Sequence, residues 1–441
     1  MIASARGVLT DWPRIAANSV AFRANMRRSR DALVAFQDRR LREIVAHAYR
    51  DVPYYRRLFD AHGLLPRHIR GVQDLRLIPV TSKSDLRAVD PADLIARGVN
   101  VSKLIEHSTG GSTGEPFTVR RSWTEERILG LQRRRALRNL GVPRGSLVIT
   151  ANIGRRPHKN DRTWFKGLVE GGGAYRLETM PALVEPEEMH AEIVRRRPQV
   201  LAGHASVLDR FASTITERNL PVPPLLMVLS GAEVLTPDAA RRMSTAFNAP
   251  VFDTYGCHEF GRIAWQCRQT GEYHRGDDAV ITEALTGGIA AGEGEEGEVV
   301  GTTLHSRSMP FIRFNIGDII TVGRETCSCG LPFSTLRQVR GRVVDYFRLH
   351  DGRLIHPFRI AAALKTEMLD WVVRYQIVQE SLDRIVLTAV PKRAPTEETI
   401  AGMRRSVAEV IGDRVRVDVV LVDEIRTDPA RKFRVYRSMV S

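Results

Sequence analysis

The sequence predicts an α/β protein with a large N-terminal domain of layered α/β subdomains, residues 1–341, and a small mobile C-terminal α+β domain, residues 342–441. Three observations lead to this prediction. A chain of 441 residues is too long for one compact core and suits two or three packed units. From about residue 100 to 340, short β-branched runs alternate with helical stretches, which indicates a largely parallel sheet. Beyond residue 341 the alternation gives way to the pattern of a small α+β unit.

The N-terminal part predicts helix from residue 14 to about 60. Apolar residues such as Leu33 and Leu41 recur at three- and four-residue spacing, and a proline at the end of residues 51–53 breaks the pattern. Candidate buried strands then follow in the runs SLVIT (146–150), PLLMVLS (224–230) and APVFDTYG (249–256).

The C-terminal domain predicts a β-hairpin, a helix and an edge strand. The runs RYQIVQES (374–381) and RIVLTAV (384–390) flank a two-residue turn. Residues 396–412 predict a helix, with Thr396 as its N-cap and Gly412 at its end. Residues 414–424 alternate between apolar and polar, as an edge strand does.

The composition is that of a globular protein, with 43% hydrophobic and 27% charged residues. No apolar run of about 18 residues occurs, so we expect no membrane-spanning helix. The N-terminus lacks the ordered features of a signal peptide, and the expected location is the cytoplasm.

The net charge of +15 raises the question of nucleic-acid binding. The basic residues are nearly all arginines spread along the chain, and no recognition helix, zinc finger or stacking sheet accompanies them. We therefore expect no specific nucleic-acid partner. A basic cleft would instead attract small anionic ligands.

A glycine-rich segment occupies residues 108–116. Glycines allow close backbone approach, successive amides can form an anion nest, and hydroxyls add donors. The segment lacks the Gly-Lys-Ser/Thr ending of a Walker A loop, and the alternative is an ordinary flexible loop. The candidate residues are Ser108, Thr109, Gly110, Gly111, Ser112, Thr113 and Gly114.

Two further segments place carboxylates after apolar runs. In DTYGCHEFG (253–261), Tyr255 could stack on a base, and Glu259 could hold Mg²⁺, which prefers carboxylate and phosphate oxygens. In FIRFNIGD (311–318), Asp318 could accept two hydrogen bonds from a ribose diol. The alternatives are a strand exit with a buried tyrosine and a common Gly-Asp turn.

The segment IRTDPARKFR (425–434) contains Lys432, one of only seven lysines. A compact ammonium suits a single polarising contact with developing negative charge. The alternative is a surface lysine in a basic tail.

In this order, the four segments resemble those of the adenylate-forming superfamily of acyl-CoA synthetases, luciferases and peptide-synthetase adenylation domains. The opening segment of residues 41–87 and the run MPFIRFNIGD (309–318) resemble the phenylacetate–CoA ligase branch more narrowly. The resemblance covers the chain from about residue 40 to 437.

The resemblance implies a nucleotide site for ATP. The loop from Ser108 to Gly114 would wrap the phosphates, and Tyr255 would stack on adenine, with Gly256 in the same motif. The segment that would line adenine consists of Gly231, Ala232 and Glu233.

The resemblance also implies the catalytic groups. Glu259 would bind Mg²⁺, and Asp318 would hold the ribose hydroxyls with Arg313 nearby. Asp345 would form the hinge between the domains. Lys432 would bridge the substrate carboxylate and the α-phosphate.

Two positions depart from the family pattern. His258 stands where the family usually has Thr or Ser, at a position that would contact the α-phosphate. Arg431 replaces the usual Gly before the lysine.

Members of this branch also carry a Cys…His…Cys-x-Cys set, matched here by Cys267, His274, Cys327 and Cys329. Four nitrogen and sulfur ligands suit a closed, structural Zn²⁺ site. The alternative is three reduced cysteines and a surface histidine. Cys257 lies within the nucleotide motif and is left out of the set.

The implied function is activation of a small carboxylic acid with ATP, followed by acyl transfer to a thiol, with coenzyme A as the expected acceptor. A carrier-protein thiol or an amine is the alternative acceptor, and a non-catalytic nucleotide-binding homologue is the alternative class. Trp164, Phe165 and His204 favour an aryl or arylacetic acid, and the alternative is that they belong to the core. The sequence leaves the oligomeric state open.

Overall fold

The computed structural model describes residues 5–109, 117–152, 174–182, 184–340, 347–355, 359–360, 363–364, 371–412, 414–425 and 436–440. Contacts between residues divide the chain into two compact units. The first comprises residues 1–107 and 119–342, and the second comprises residues 108–118 and 343–441.

The first unit contains most of the helices and strands. Its helices are α1 (Ala5–Asn25), α2 (Arg30–Asp51), α3 (Pro53–Ala61), α4 (Lys83–Arg87), α5 (Trp123–Asn139), α6 (Pro186–Arg196), α7 (Ala205–Glu217) and α8 (Pro237–Phe247). Its strands are β1 (Ile105–Thr109), β2 (Phe117–Arg121), β3 (Leu147–Asn152), β4 (Arg176–Pro181), β5 (Val200–His204), β6 (Met227–Gly231), β7 (Val251–Cys257), β8 (Gly261–Gln266), β9 (Tyr273–Arg275), β10 (Val280–Thr286), β11 (Ile289–Ala290), β12 (Glu296–Thr303), β13 (Phe314–Val322) and β14 (Thr335–Val339).

A twelve-stranded mixed sheet forms the centre of this unit, in the order β11-β10-β12-β13-β14-β9-β8-β7-β6-β5-β3-β4. The pairs from β4 to β7 are parallel, as the alternating strands and helices predict. From β7 onward the pairs are antiparallel. β7 is therefore the strand at which the sheet changes direction, and the Tyr255 motif lies on it.

Helices cover both faces of the parallel part, because successive side chains on a strand point to opposite faces. On β3, Leu147 and Ile149 belong to one apolar core, which Met189 of α6 and Phe211 of α7 complete. Val148 belongs to a second core, which includes residues from the end of α5.

The N-terminal helices follow the predicted pattern with one correction. α2 begins after Ser29, whose side-chain oxygen accepts a hydrogen bond from the N–H of Ala32, and Val52 separates α2 from α3, which begins at Pro53. The expectation of a continuous helix from residue 14 is wrong, because α1 ends at Asn25 and a turn precedes α2.

The second unit contains the strands β15 (Phe347–Arg348), β16 (Leu354–Ile355), β17 (Val372–Ser381), β18 (Arg384–Pro391), β19 (Arg416–Leu421) and β20 (Tyr436–Ser438) and the helix α9 (Glu397–Ile411). The hairpin β17–β18 confirms the prediction, as does α9, which Thr396 caps. The strand order β19-β18-β17-β20 places β19 at an edge, as predicted.

Among the described residues, no helix has both the length and the apolar character needed to cross a lipid bilayer.

Candidate active site

Tyr255 and Asp318 lie far apart in sequence, and the sheet brings them together. The Tyr255 hydroxyl donates a hydrogen bond to Oδ2 of Asp318 at 3.0 Å. Tyr255 is buried on β7, and Asp318 is half-buried on β13. An ionised acceptor strengthens such a bond, so the tyrosine fixes the orientation of the carboxylate.

Gly256 follows Tyr255 at an irregularity in the β7–β8 ladder. A Cβ atom added there would lie 2.4 Å from the carbonyl oxygen of Gly261. The position therefore excludes any side chain, because the two backbone segments touch.

Glu259 follows β7 and is buried, with 2% of its side chain exposed. Its Oε1 atom lies 2.8 Å from Nζ of Lys83, the first residue of α4. Burial alone would raise the pKa of Glu259, but the charge of Lys83 holds it below its usual value. The carboxylate is thus ionised and has a resident counter-ion.

The sequence analysis did not select Lys83, although a signal was available. Lysine occurs only seven times in the chain, and this scarcity also drew attention to Lys432. Lys83 lies within the segment of residues 41–87 that carries the family resemblance.

The backbone before Lys83 is attached to the strand that carries Asp318. The N–H of Thr81 donates to the carbonyl of Arg313 at 2.9 Å, and the N–H of Asn315 donates to the carbonyl of Thr81 at 2.7 Å. Thr81 and Phe314 thus form a parallel β-bridge, which joins the N-terminal segment to the start of β13.

The guanidinium of Arg313 also helps to attach the N-terminal segment to this part of the sheet. It donates to both carboxylate oxygens of Glu283 and, at 2.7 Å, to the carbonyl of Ile78. Arg313 has a positive φ of 49°, a conformation that its buried hydrogen bonds stabilise. Its described contacts therefore hold the N-terminal segment, and the implied proximity to ribose stays a prediction.

His258 lies beside a second histidine that the sequence analysis missed. The rings of His258 and His107 stack with centroids 5.5 Å apart. Nε2 of His107 lies 2.8 Å from Oε1 of Glu126, and Arg121 donates both to Glu126 and to the carbonyl of His258. His107 is the residue before Ser108 in the sequence.

The segment implied for adenine follows β6, next to β7. Gly231 pairs with Thr254, and Ala232 adopts a positive φ of 66°. Oε2 of Glu233 accepts a hydrogen bond from the N–H of Ser206 at 2.8 Å, at the start of α7. A carboxylate at a helix start is electrostatically favourable, so Glu233 ties this segment to β5 and α7.

For several predicted residues, either the whole residue or its side chain lies outside the part of the chain that the structure describes. Ser108 and Thr109 belong to β1, but their side chains are not described. The residues outside the described ranges are Gly110, Gly111, Ser112, Thr113, Gly114, Trp164, Phe165, Asp345, Arg431 and Lys432.

The four predicted zinc ligands converge. Their ligand atoms all lie within 4.8 Å of one another, in the set Cys267, His274, Cys327 and Cys329. The hairpin β8–β9 supplies the first two, and the segment between β13 and β14 supplies the Cys-x-Cys pair. The Sγ atoms of Cys267 and Cys327 are 3.8 Å apart, and Sγ of Cys329 is 3.6 Å from Nε2 of His274.

The electrostatics of this cluster suit a cation. Burial and the neighbouring sulfurs raise the pKa of Cys329 to about 12, because a thiolate there would face other thiols without compensation. Burial, and then the charge of Arg135, lowers the pKa of His274 to about 4, which leaves the imidazole neutral. Neutral imidazole and thiolates stabilised by the metal are the ligand forms that Zn²⁺ requires.

Comparison with known proteins identifies the relatives. The family model for the CapK C-terminal domain matches residues 348–438. The phenylacetate-coenzyme A ligase of Escherichia coli is 30% identical over 309 residues, which are 66% of this chain and 67% of that protein. The phenylacetate-coenzyme A ligase of Thermus thermophilus is 28% identical over 359 residues, which are 79% of this chain and 78% of that protein.

A solved structure of 2-hydroxyisobutyryl-CoA ligase, in complex with 2-HIB-AMP and CoA in the thioesterification state, has the same fold. Its TM-score is 0.66 at 24% sequence identity, and the alignment covers 95% of this chain and 92% of that chain. This likeness shows the fold, and the sequence relatives give the class, which is that of the adenylate-forming ligases. Within this class, the chain belongs to the phenylacetate–coenzyme A ligase family.

Proposed function

We propose that this protein activates a small aromatic carboxylic acid as its acyl-adenylate and then transfers the acyl group to coenzyme A. One observation carries the proposal within this family. The sequence predicts that Glu259 binds Mg²⁺ and that Asp318 binds ribose. Glu259 follows β7, and Asp318 accepts a hydrogen bond from Tyr255 of β7. Ligands of α/β sheets bind outside the carboxyl ends of the strands, and Glu259 follows the carboxyl end of β7.

In the first step, a carboxylate oxygen of the acid attacks the α-phosphorus of ATP. The bond from this phosphorus to the bridging oxygen breaks, and pyrophosphate leaves. Asp318, oriented by Tyr255, would accept hydrogen bonds from the ribose hydroxyls. The loop from Ser108 to Gly114 and the ammonium of Lys432 would contact the phosphate oxygens, where charge develops.

Glu259 would hold Mg²⁺. The carboxylate of Glu259 is buried and ionised, and its counter-ion is the ammonium of Lys83, which lies 2.8 Å from Oε1. Oxygen ligands of this kind are those that Mg²⁺ prefers. When bound, the ion neutralises charge on the phosphate oxygens.

In the second step, the thiol of coenzyme A releases its proton to solvent, and its sulfur attacks the acyl carbonyl carbon. The bond from this carbon to the phosphate oxygen breaks, and AMP leaves. Rotation of the small domain about Asp345 would withdraw Lys432 and admit the thiol between the two steps, a familiar way to protect a reactive intermediate. A carrier-protein thiol or an amine is the alternative acceptor.

We also propose that Cys267, His274, Cys327 and Cys329 hold a structural Zn²⁺. A site with four protein ligands has no open position for substrate, so its role would be to join the β8–β9 hairpin to the segment before β14.

Pyrophosphate release with MgATP tests the main proposal. Four classes of acid are tested, which are aryl, arylacetic, amino-aryl and aliphatic acids, each with and without coenzyme A. Release stimulated by one acid class supports adenylation and names the substrate class. Dependence of product formation on coenzyme A, compared with a carrier protein and with amines, decides the acceptor.

Equilibrium binding of ATP separates the enzyme from a non-catalytic homologue. A protein that binds ATP but releases no pyrophosphate with any acid would contradict the proposed function. Lys432→Ala is the matched inactive control, because it removes one ammonium and leaves the Tyr255–Asp318 contact in place.

A further inference from the structure

The buried ion pair between Lys83 and Glu259 is an unusual feature of a prospective cation site. Only 17% of the Lys83 side chain and 2% of the Glu259 side chain are exposed. The ammonium touches the oxygen that a divalent cation would need. A cation cannot reach Oε1 while Nζ remains 2.8 Å from it.

We infer that Lys83 is an exchangeable counter-ion: it neutralises Glu259 in the empty enzyme and gives up this carboxylate when a divalent cation arrives with ATP. The freed ammonium would then contact the incoming polyphosphate. This inference rests on the proposed function for the identity of the nucleotide, but its central claim concerns cation binding alone.

The contact itself favours exchange. The ammonium and one carboxylate oxygen form a buried ion pair at 2.8 Å. Such a pair recovers only part of the cost of removing both charges from water. A divalent cation has twice the charge of an ammonium, so it can displace Lys83 once the ammonium has another anion to pair with.

The backbone around Lys83 is fixed, so only the side chain needs to move. Thr81 is bonded on both sides to the strand of Asp318, and Ser82 caps the following turn together with Asp85. The lysine side chain has four flexible carbons, and its ammonium can therefore shift by several ångströms without strain in the segment.

The surrounding charges couple metal binding to nucleotide binding. Arg121 and His107 both contact His258, the residue before Glu259. A divalent cation added to this basic environment without phosphate would leave the Lys83 ammonium unpaired. Metal and ATP should therefore each raise the affinity for the other, by a factor of about 5 to 150, the usual range of coupling between sites.

Manganese binding, followed by electron paramagnetic resonance, tests the exchange without requiring turnover. The full-length enzyme is titrated with Mn²⁺ in the absence of nucleotide. We expect Lys83→Met to bind Mn²⁺ at one Glu259-dependent site per chain, at least about fivefold more tightly than the native protein binds Mn²⁺, which is the lower end of that coupling range. Glu259→Gln in the Lys83→Met background should abolish the new site.

Lys103→Met is the matched control, because Lys103 is an exposed lysine of the same region. It should bind Mn²⁺ as the native protein does. Lys83→Gln provides a second variant, because its amide can still hydrogen-bond to the buried carboxylate if Lys83→Met fails to fold.

Equal Mn²⁺ binding by native protein and folded Lys83 variants would overturn the inference, as would a new site that persists after loss of Glu259. Pyrophosphate release is measured separately on the native protein. A new Mn²⁺ site in an enzyme that releases no pyrophosphate would support the exchange and refute the proposed function.

Discussion

The zinc centre gives a prediction that rests on measured distances. We expect one Zn²⁺ per chain, bound by Cys267, His274, Cys327 and Cys329. Zinc bonds of about 2.3 Å to sulfur and about 2.0–2.1 Å to nitrogen, at tetrahedral angles, require edges of about 3.8 Å between sulfurs and about 3.6 Å between sulfur and nitrogen. The measured edges are 3.8 Å for Cys267–Cys327 and 3.6 Å for Cys329–His274.

Replacement of Cys329 by Ser is the perturbation. Loss of a direct ligand should weaken zinc binding by more than about 100-fold, because loss of an outer partner alone typically costs 10- to 100-fold. A 100-fold weaker site provides about 2.7 kcal/mol less stabilisation of the folded state at saturating zinc. We expect a lower melting temperature and substoichiometric zinc after dialysis.

Metal content per chain by mass spectrometry and the X-ray absorption spectrum are the assays. Native protein should show three sulfur neighbours and one nitrogen neighbour at the zinc edge. Cys257→Ser is the control, because Cys257 lies outside the cluster and should leave the zinc content unchanged. Native protein purified in zinc-containing buffer without bound zinc, or an unchanged zinc content in Cys329→Ser, would refute the reasoning.

Three further predictions follow from the site and the core. Tyr255→Phe removes the hydroxyl that donates a hydrogen bond to Asp318. It should lower kcat/KM for ATP roughly 10-fold, because hydrogen bonds to charged groups contribute about 1.5–3 kcal/mol. An unchanged kcat/KM would contradict the orienting role of Tyr255. Burial lowers the pKa of His305 to about 3, so its stabilising effect is present above its unfolded pKa of about 6.5 and is lost as pH falls. Native protein should therefore lose about 2 kcal/mol more between pH 7 and 5 than His305→Gln, measured by urea unfolding, and equal losses would contradict this. Lys432→Ala should reduce pyrophosphate release by two or more orders of magnitude, typical for loss of a charge-stabilising group, with ATP binding retained; no change would mean that the lysine is misassigned.

Local patterns predicted much of the fold. The alternation of strands and helices indicated the parallel sheet, and the capping residue Thr396 gave the start of α9. The break near Pro53 was also correct. The turn between α1 and α2 was missed, because residues 26–29 contain neither glycine nor proline to mark the end of a helix.

The candidate site was predicted in its parts but not in its connections. Tyr255, Glu259 and Asp318 were selected from their motifs, yet their neighbours Lys83 and His107 were not. Neither neighbour stands in a motif of its own. Each becomes informative only through its contact with a residue far along the chain.

The sequence by itself determined the local elements and the chemistry that each motif offers, because helix caps, strand alternation and ligand types depend on nearby residues. Only the tertiary structure decided which groups meet. Tyr255 and Asp318 are 63 positions apart, and Cys267 and Cys327 are 60 apart. Such contacts depend on the strand order of the twelve-stranded sheet. Burial of both faces of the sheet selects this order, and no local sequence pattern encodes it.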